Sequence, residues 1–305
     1  MPSKNERKNM LQLYSLTKLL KKSSVLTDIS IALPNGVCLL TGPNGAGKTT
    51  FMRILAGVIA PTSGRVYLNG KMFYAGSSAF KAHIGYVPQS FGVYPEMTAE
   101  KFLRYFAELK GLPAPFLQQR VEDVMKITQL TEIQNKKLCL WTKGMRQKLG
   151  IAQALLNDPD LLLLDEPLAG LDFEERHYFC ELFSRLGRER IVLVSSHIIE
   201  EPALADRVLL LHQQKVQFDG SPCSMLAVVR GFVWSAVMSE AEWKDEKHRL
   251  LVSRLEIQHS LYKVRFISKV QPKYSETVLE EPDLQDAYIY LVSQADSIRE
   301  RNAIL

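Results

Sequence analysis

The residues Val37-Cys38-Leu39-Leu40 read as a buried strand, and they run directly into Thr41-Gly42-Pro43-Asn44-Gly45-Ala46-Gly47-Lys48-Thr49-Thr50. Gly42, Gly47, Lys48 and Thr49 satisfy G-x-x-x-x-G-K-[ST], and Thr50 to Ala56 reads as a helix opening straight after it. Strand, glycine loop and helix in that order confine the chain to an α/β fold built around a phosphate cradle. Glycines let backbone N–H groups turn inward around an anion where a Cβ would obstruct them. The helix N-terminus adds partial positive charge to the same spot. Lys48 brings a point charge to the β- and γ-phosphates, and the Thr49 hydroxyl can ligate Mg²⁺. The expected nucleotide cradle is Gly42, Asn44, Gly45, Ala46, Gly47, Lys48, Thr49 and Thr50.

Leu161-Leu162-Leu163-Leu164 and Ile191-Val192-Leu193-Val194 are unbroken apolar runs, the mark of strands covered on both faces of a parallel sheet. The first ends in Asp165-Glu166-Pro167. Strand alternation sends the two acids in opposite senses, so they suit different tasks. Asp165 is placed to hold the Mg²⁺ shell and Glu166 to polarise a water for in-line attack on the γ-phosphate.

Further strands are expected at Leu11–Leu16, Val25–Leu33, Arg65–Leu68 and Ile84–Val87, with Asn69-Gly70 as a hairpin turn. Two more close the first part of the chain, Val208–Leu211 and Val216–Phe218. Between about 90 and 158 the pattern becomes helical. Thr98 caps a helix whose Phe102, Tyr105, Phe106 and Leu109 share a face, Gly111 and Pro113 end it, and Val121, Val124 and Met125 mark the next. Residues 1–222 read as one α/β domain containing this insertion. Residues 223–305 read as a small α+β appendage, with a strand at Tyr262–Phe266, another at Phe232–Trp234, and a helix carrying Leu284, Ala287, Tyr288 and Leu291.

The 305 residues are 46% hydrophobic and 23% charged, enough apolar content for a real core. A net charge of +5 is too mild to argue for nucleic acid. The cysteines Cys38, Cys139, Cys180 and Cys223 lie far apart and read as reduced thiols. The charged start of the chain is followed by no apolar segment, so no signal peptide is expected. The longest apolar window, Met225 to Met238, is interrupted by Arg230 and too short to span a bilayer.

From about Leu11 to Pro222 the chain resembles an ATP-binding cassette (ABC) ATPase, with the family's motifs in order. Gln89 in Tyr86-Val87-Pro88-Gln89 matches the Q-loop glutamine, and Trp141-Thr142-Lys143-Gly144-Met145-Arg146-Gln147-Lys148 the signature, usually L-S-G-G-Q. Asp165-Glu166 matches the Walker B end, Ala169-Gly170-Leu171-Asp172 the D-loop, and Ser195-Ser196-His197 the strand end that carries the switch histidine. The resemblance implies catalytic roles for Glu166, His197 and Gln89, and a Mg²⁺ shell from Thr49, Gln89 and Asp165. It also implies that Thr142 and Gly144, expected just before a helix from Met145 to Leu156, reach the γ-phosphate of ATP held by a second ATPase subunit. That subunit is either the same chain or a sister chain.

Integral membrane subunits would then be the partners and the cytoplasmic face of the membrane the location, with ATP and Mg²⁺ as cofactors. The Lys143-Gly144-Met145 form resembles ATPases of drug, antibiotic and lantibiotic exporters, and Glu281-Pro282-Asp283-Leu284-Gln285-Asp286-Ala287-Tyr288 resembles the E-P-x-L-E-D-x-[FY] ending of export-type ATPases. Leu20 stands where the family usually stacks adenine on an aromatic ring, which predicts loose base selectivity. Phe91, Val93, Tyr94, Pro95 and Met97, around the Q-loop, form an apolar stretch that reads as a docking surface for a membrane partner, with a local packing cluster under the helical insertion as the alternative. A soluble, non-transport ABC ATPase is the alternative. A P-loop kinase or GTPase would need neither a signature helix nor a switch histidine, and a catalytically dead cassette would not need Glu166 and His197.

Overall fold

A computed structural model describes residues 9–21, 23–73, 76–196, 205–258, 261–274 and 276–304. The core is a six-stranded sheet in the order β10-β9-β3-β8-β7-β6. Its members are β3 (Gly36–Thr41), β6 (Ile84–Val87), β7 (Leu161–Asp165), β8 (Ile191–Ser195), β9 (Arg207–His212) and β10 (Lys215–Gly220). Five run parallel and β10 closes one edge antiparallel to β9.

The unbroken apolar runs are explained by burial on both faces. Leu162, Leu164, Val192 and Val194 join a core with the helices on one side, while Leu161, Leu163, Ile191 and Leu193 join a second core on the other. The second core is completed by α1 (Lys48–Leu55) and by an antiparallel sheet of β1 (Met10–Leu20), β2 (Ser23–Pro34), β4 (Ser63–Leu68) and β5 (Lys71–Met72). Asn69 and Gly70, both at positive φ, turn β4 into β5 with Leu68 paired to Lys71, as the two-residue hairpin requires.

A short helix α2 (Ser78–Lys81) precedes β6. The first core holds the helical segment: α3 (Ala99–Leu109), α4 (Ala114–Ile127) and α5 (Lys143–Leu155), with α6 (Phe173–Gly187) between β7 and β8. Thr98 caps α3, its side chain accepting from Lys101 N at 3.4 Å. The buried stripe of α3 differs from the expected one. Ala99, Phe102, Leu103 and Ala107 face inward, whereas Tyr105 and Leu109 are exposed. The alanines let α3 approach its neighbours closely, so the inward face turns toward the small residues and leaves the large apolar side chains at its rim.

Beyond β10 come α7 (Pro222–Ala227), β11 (Val233–Ser239), α8 (Glu240–Glu246), β12 (Leu251–Gln258), β13 (Leu261–Ile267), β14 (Val278–Leu279) and α9 (Leu284–Ile304). The strands form an antiparallel sheet in the order β12-β13-β11-β14. This unit has a small core of its own around Ala236, Met238, Val264 and Phe266. It is also fused to the parallel sheet: Met225, Val229, Val233, Ile267, Leu284 and Ala287 share a buried cluster with Leu39 and Val208. Met225 to Met238 is therefore spent on the end of α7, a turn and most of β11. Among the described residues no helix is long and apolar enough to cross a membrane. All four cysteines are free thiols, Cys38 and Cys180 buried, Cys139 and Cys223 exposed.

Candidate active site

Parallel strands bring their C-terminal ends to one edge of the sheet, where ligands bind in open α/β folds. β3 ends at Thr41 and the loop turns at Gly42, φ +149°. A Cβ on Gly42 would lie 2.0 Å from the Leu211 carbonyl oxygen of β9, so only glycine fits. Gly47, φ +102°, precedes the first residue of α1. The Lys48 ammonium is folded onto its own loop, donating to Gly42 O at 2.6 Å and Pro43 O at 3.1 Å. Burial pulls the Lys48 pKa below its ordinary value, and the nearby Glu166 and Asp165 carboxylates oppose that shift.

Val25, Asn44 to Thr50, Gln89, Asp165 and Glu166 line one cavity of about 290 Å³. Strand register places the acids. Asp165, the last residue of β7, pairs with Ser195, the last residue of β8. Asp165 is buried at 2% exposure. Its Oδ1 accepts from Ser195 Oγ at 2.5 Å, and its Oδ2 is buried without a hydrogen-bond partner among the described residues. Glu166 leaves the strand in a left-handed conformation, φ +52°. A non-glycine residue there costs about 1–2 kcal/mol unless its surroundings hold it. Its amide donates to Ser195 O at 3.3 Å and to Ser195 Oγ at 3.0 Å. Its carboxylate accepts from Gln89 Nε2 at 2.9 Å, so the second residue after β6 and the first after β7 meet beside the loop. The donors suit the expected ligands: amides and an ammonium for phosphate, and a hydroxyl with an unpartnered carboxylate oxygen for a hard cation.

Thr142 and Gly144 are not among the residues that line this cavity. Thr142 caps α5, accepting from Met145 N at 3.2 Å. The helix begins at Lys143, so Gly144 falls inside its first turn and not before it, as the sequence had suggested. A Cβ on Gly144 would lie 2.6 Å from Gly170 O, and Lys148 Nζ meets Glu175 Oε1 at 2.5 Å. The starts of α5 and α6 are thereby held side by side, with Asp172 and Glu175 forming a capping box on α6. His197 lies outside the described residues. Of the other histidines, His83 and His212 pair with Asp160 and Asp296, away from the cavity. Leu20 ends β1 at 46% exposure and is not among the residues lining the cavity, none of which is aromatic. Tyr14 leans edge-on against Tyr67, 5.7 Å between centroids. Ser195 is the residue whose part the sequence concealed. Nothing local marks it, and only the pairing of β7 with β8 sets it against both acids.

The family profile for the ABC transporter matches residues 26–169. The ABC transporter ATP-binding protein NatA of Bacillus subtilis is 37% identical over 205 residues, 66% of this chain and 83% of NatA. The linearmycin resistance ATP-binding protein LnrL of the same organism is 30% identical over 225 residues, covering 73% of this chain and 72% of LnrL. Relatives named for import match over comparable spans. Among solved structures, an ATP binding subunit of an ABC transporter superposes with a TM-score of 0.66 at 26% identity, over 72% of this chain and 92% of its own. The motifs, the parallel-sheet cavity and these likenesses agree: the chain belongs to the ABC transporter ATP-binding proteins and is an ATPase.

Proposed function

We propose that this chain is the ATP-binding and hydrolysing subunit of an export-type transporter, pairing head to tail with a second ATPase subunit on Mg-ATP and driving separate membrane subunits from the cytoplasmic face. The observation that carries the reading is the meeting of Lys48, Gln89, Asp165 and Glu166 in a cavity that the phosphate loop lines. On this reading the amides of Asn44 to Thr50 and the Lys48 ammonium hold the triphosphate. Lys48 exchanges the Gly42 and Pro43 carbonyls for phosphate oxygens. Thr49, Gln89 and the unpartnered Asp165 Oδ2 would hold Mg²⁺, which when bound neutralises charge on the β- and γ-phosphates. Glu166 takes the proton of the attacking water as its oxygen bonds to the γ-phosphorus and the bond to the β–γ bridging oxygen breaks. In the present geometry the Gln89 amide donates to Glu166 Oε2 at 2.9 Å, and that proton goes to the other carboxylate oxygen, Oε1. Thr142 and Gly144 act on nucleotide held by the partner cassette, and His197 on the γ-phosphate.

The outward direction rests on the Lys143-Gly144-Met145 form and the Glu281–Tyr288 ending, since the shared cassette also serves import proteins. Of the apolar stretch around Gln89, Phe91, Val93 and Met97 pack against the core of the helical segment, so the membrane-facing surface is assigned to Tyr94 and the apolar rim beside it. There Tyr94, 49% exposed, stands edge-on to Tyr105 at 5.9 Å, with Leu109 and Phe116 exposed on the same segment. Pull-down from detergent-solubilised membranes should recover membrane subunits with the wild-type chain and lose them with Tyr94→Asp, while ATP titration of the same variant stays normal. Loss of both properties would make Tyr94 a packing residue. A wild-type chain that captures no membrane subunit would favour the soluble ABC ATPase instead.

A further inference from the structure

The hydroxyl of Ser195 touches both acidic residues of the cavity. It donates to Asp165 Oδ1 at 2.5 Å and accepts from the Glu166 amide at 3.0 Å. Ser195 is fully buried, at 0% exposure, and its Cα is the register partner of Asp165 across β7 and β8. A buried hydroxyl with one proton and two lone pairs has little freedom here. Its proton is committed to Asp165, and one lone pair to Glu166. Two consequences follow. With Oδ1 held, the Asp165 carboxylate cannot swing, and its unpartnered Oδ2 is the oxygen left for a cation. The accepting lone pair also holds the Glu166 amide where the residue adopts its left-handed conformation, φ +52°. The Ser195 carbonyl backs up this second contact at 3.3 Å, but nothing else among the described residues donates to Asp165 Oδ1.

We infer that Ser195 is a positioning residue of the ATPase site, which orients Asp165 toward the divalent cation and couples that orientation to the backbone of Glu166. The inference rests on the reading of Asp165 as a Mg²⁺ holder given above. Groups that orient a metal's carboxylate characteristically change metal affinity by about 10- to 100-fold when removed.

The test uses the full chain with ATP and reads cation binding directly. Mn²⁺ in place of Mg²⁺ gives an electron paramagnetic resonance signal that reports the bound fraction without turnover. Ser195→Ala should weaken Mn²⁺ binding in the presence of ATP by about tenfold. Binding of ATP without divalent cation, which depends on the Lys48 loop, should be unchanged. Ser195→Thr, which keeps the hydroxyl, should restore the cation affinity. Asp165→Asn run alone should weaken the cation at least as much as Ser195→Ala, and the double variant should be no weaker than Asp165→Asn, because Ser195 acts through that carboxylate. A shift in Asp165→Asn with none in Ser195→Ala would overturn the Ser195 inference and leave the Asp165 reading standing. Additive losses in the double variant would also overturn it. No shift in Asp165→Asn would overturn both. Circular dichroism melts identify any variant that fails to fold. The Thr and Asn variants then decide the matter, since a folded Ser195→Thr with weakened Mn²⁺ counts against the hydroxyl.

Discussion

Two aspartates are almost completely removed from solvent, and the molecule treats them in opposite ways. Asp286, in the first turn of α9, is 0% exposed. Arg265 of β13 donates Nε to both of its oxygens at 3.2 Å and a terminal nitrogen to Oδ2 at 2.7 Å, and the Asp283 amide donates to Oδ2 at 2.9 Å. Burial works to raise the Asp286 pKa, but the hydrogen bonds of Arg265, Ser253 and the Asp283 backbone hold it below the usual carboxylate range. Among the described residues Asp165 has one donor, on Oδ1, and a buried Oδ2 with none. A buried charge is costly unless it is paired and its lone pairs are used. Asp286 meets that condition within the protein and ties the C-terminal sheet to α9. Asp165 leaves one oxygen without a hydrogen-bond partner among the described residues, as the proposed cation ligand requires. The difference separates a fastening from a binding site more sharply than burial or charge alone.

The largest effect expected from this contrast is on stability. Asp286→Ala leaves Arg265, whose side chain is 16% exposed, with Glu280 at 3.7 Å and the Glu281 carbonyl as its remaining partners. Breaking a buried pair costs about 3–5 kcal/mol, and these remaining partners place the loss near the lower end. Urea unfolding should show it, while turnover per folded molecule stays normal. A fall in turnover would mean that the C-terminal unit takes part in the ATPase cycle and is more than fastened to it. Glu166→Gln should do the reverse. Stability and ATP binding should hold, turnover should drop by two or more orders of magnitude, roughly 3 kcal/mol of barrier, and the proposed ATP-bound dimer should accumulate in size-exclusion runs with ATP. Near-normal phosphate release would remove Glu166 from the chemistry.

Much of this contrast can be read from the chain. Leu161–Leu164 and Ile191–Val194 announce strands covered on both faces because each residue of the run has an apolar layer to meet. The glycine loop is legible because its conformation demands glycine, as the Leu211 oxygen beside Gly42 shows. Elsewhere the relevant physics is not local. Tyr105 and Leu109 have the right helical spacing for the core yet sit outside it, because spacing fixes a face and not which part of that face the neighbours cover. β12 is an edge strand with Arg254 to Gln258 exposed, so it lacks the apolar signal that marks the central strands. The Asp165–Ser195 contact spans 30 residues and exists only through strand register.

A smaller effect is expected at the base end of the nucleotide. The phosphate end is specified by backbone, ammonium and carboxylates, whereas the only apolar side chain of any size on the cavity wall is Val25. Leu20 is exposed near the β1–β2 turn and offers no π face. ATP and GTP should therefore bind within about one order of magnitude, ~1.4 kcal/mol, in competition titrations. Leu20→Tyr should tighten both without touching the cation dependence. A hundredfold preference for ATP in the wild-type chain would show that another side chain recognises adenine.

The smallest effect concerns a buried cation that has a neutral partner, a third case beside the two aspartates. Lys110, just past α3, donates Nζ to Gln153 O of α5 at 2.9 Å, and Arg120 donates to the Leu155 and Leu156 carbonyls nearby. Together they cap the C-terminal end of the signature helix, where a cation is favoured by the helix dipole. Burial, and after it the nearby Arg120 charge, nonetheless lower the Lys110 pKa from 10.5 to about 8. The unfolded chain keeps this proton until about 10.5 while the folded chain releases it near 8, so between those values the unfolded state holds more protons. Stability contributed by this group must then rise with pH across that window. Lys110→Met has no proton to exchange, and titrations shared by both proteins cancel in the difference. Urea unfolding of the pair at pH 7.5, 8.5, 9.5 and 10.5 should show the wild type gaining on the variant by on the order of 1 kcal/mol, since Lys110 remains partly solvated. A difference that stays flat would place the ammonium in water with its ordinary affinity for protons. The end of α5 would then be held by Arg120 alone.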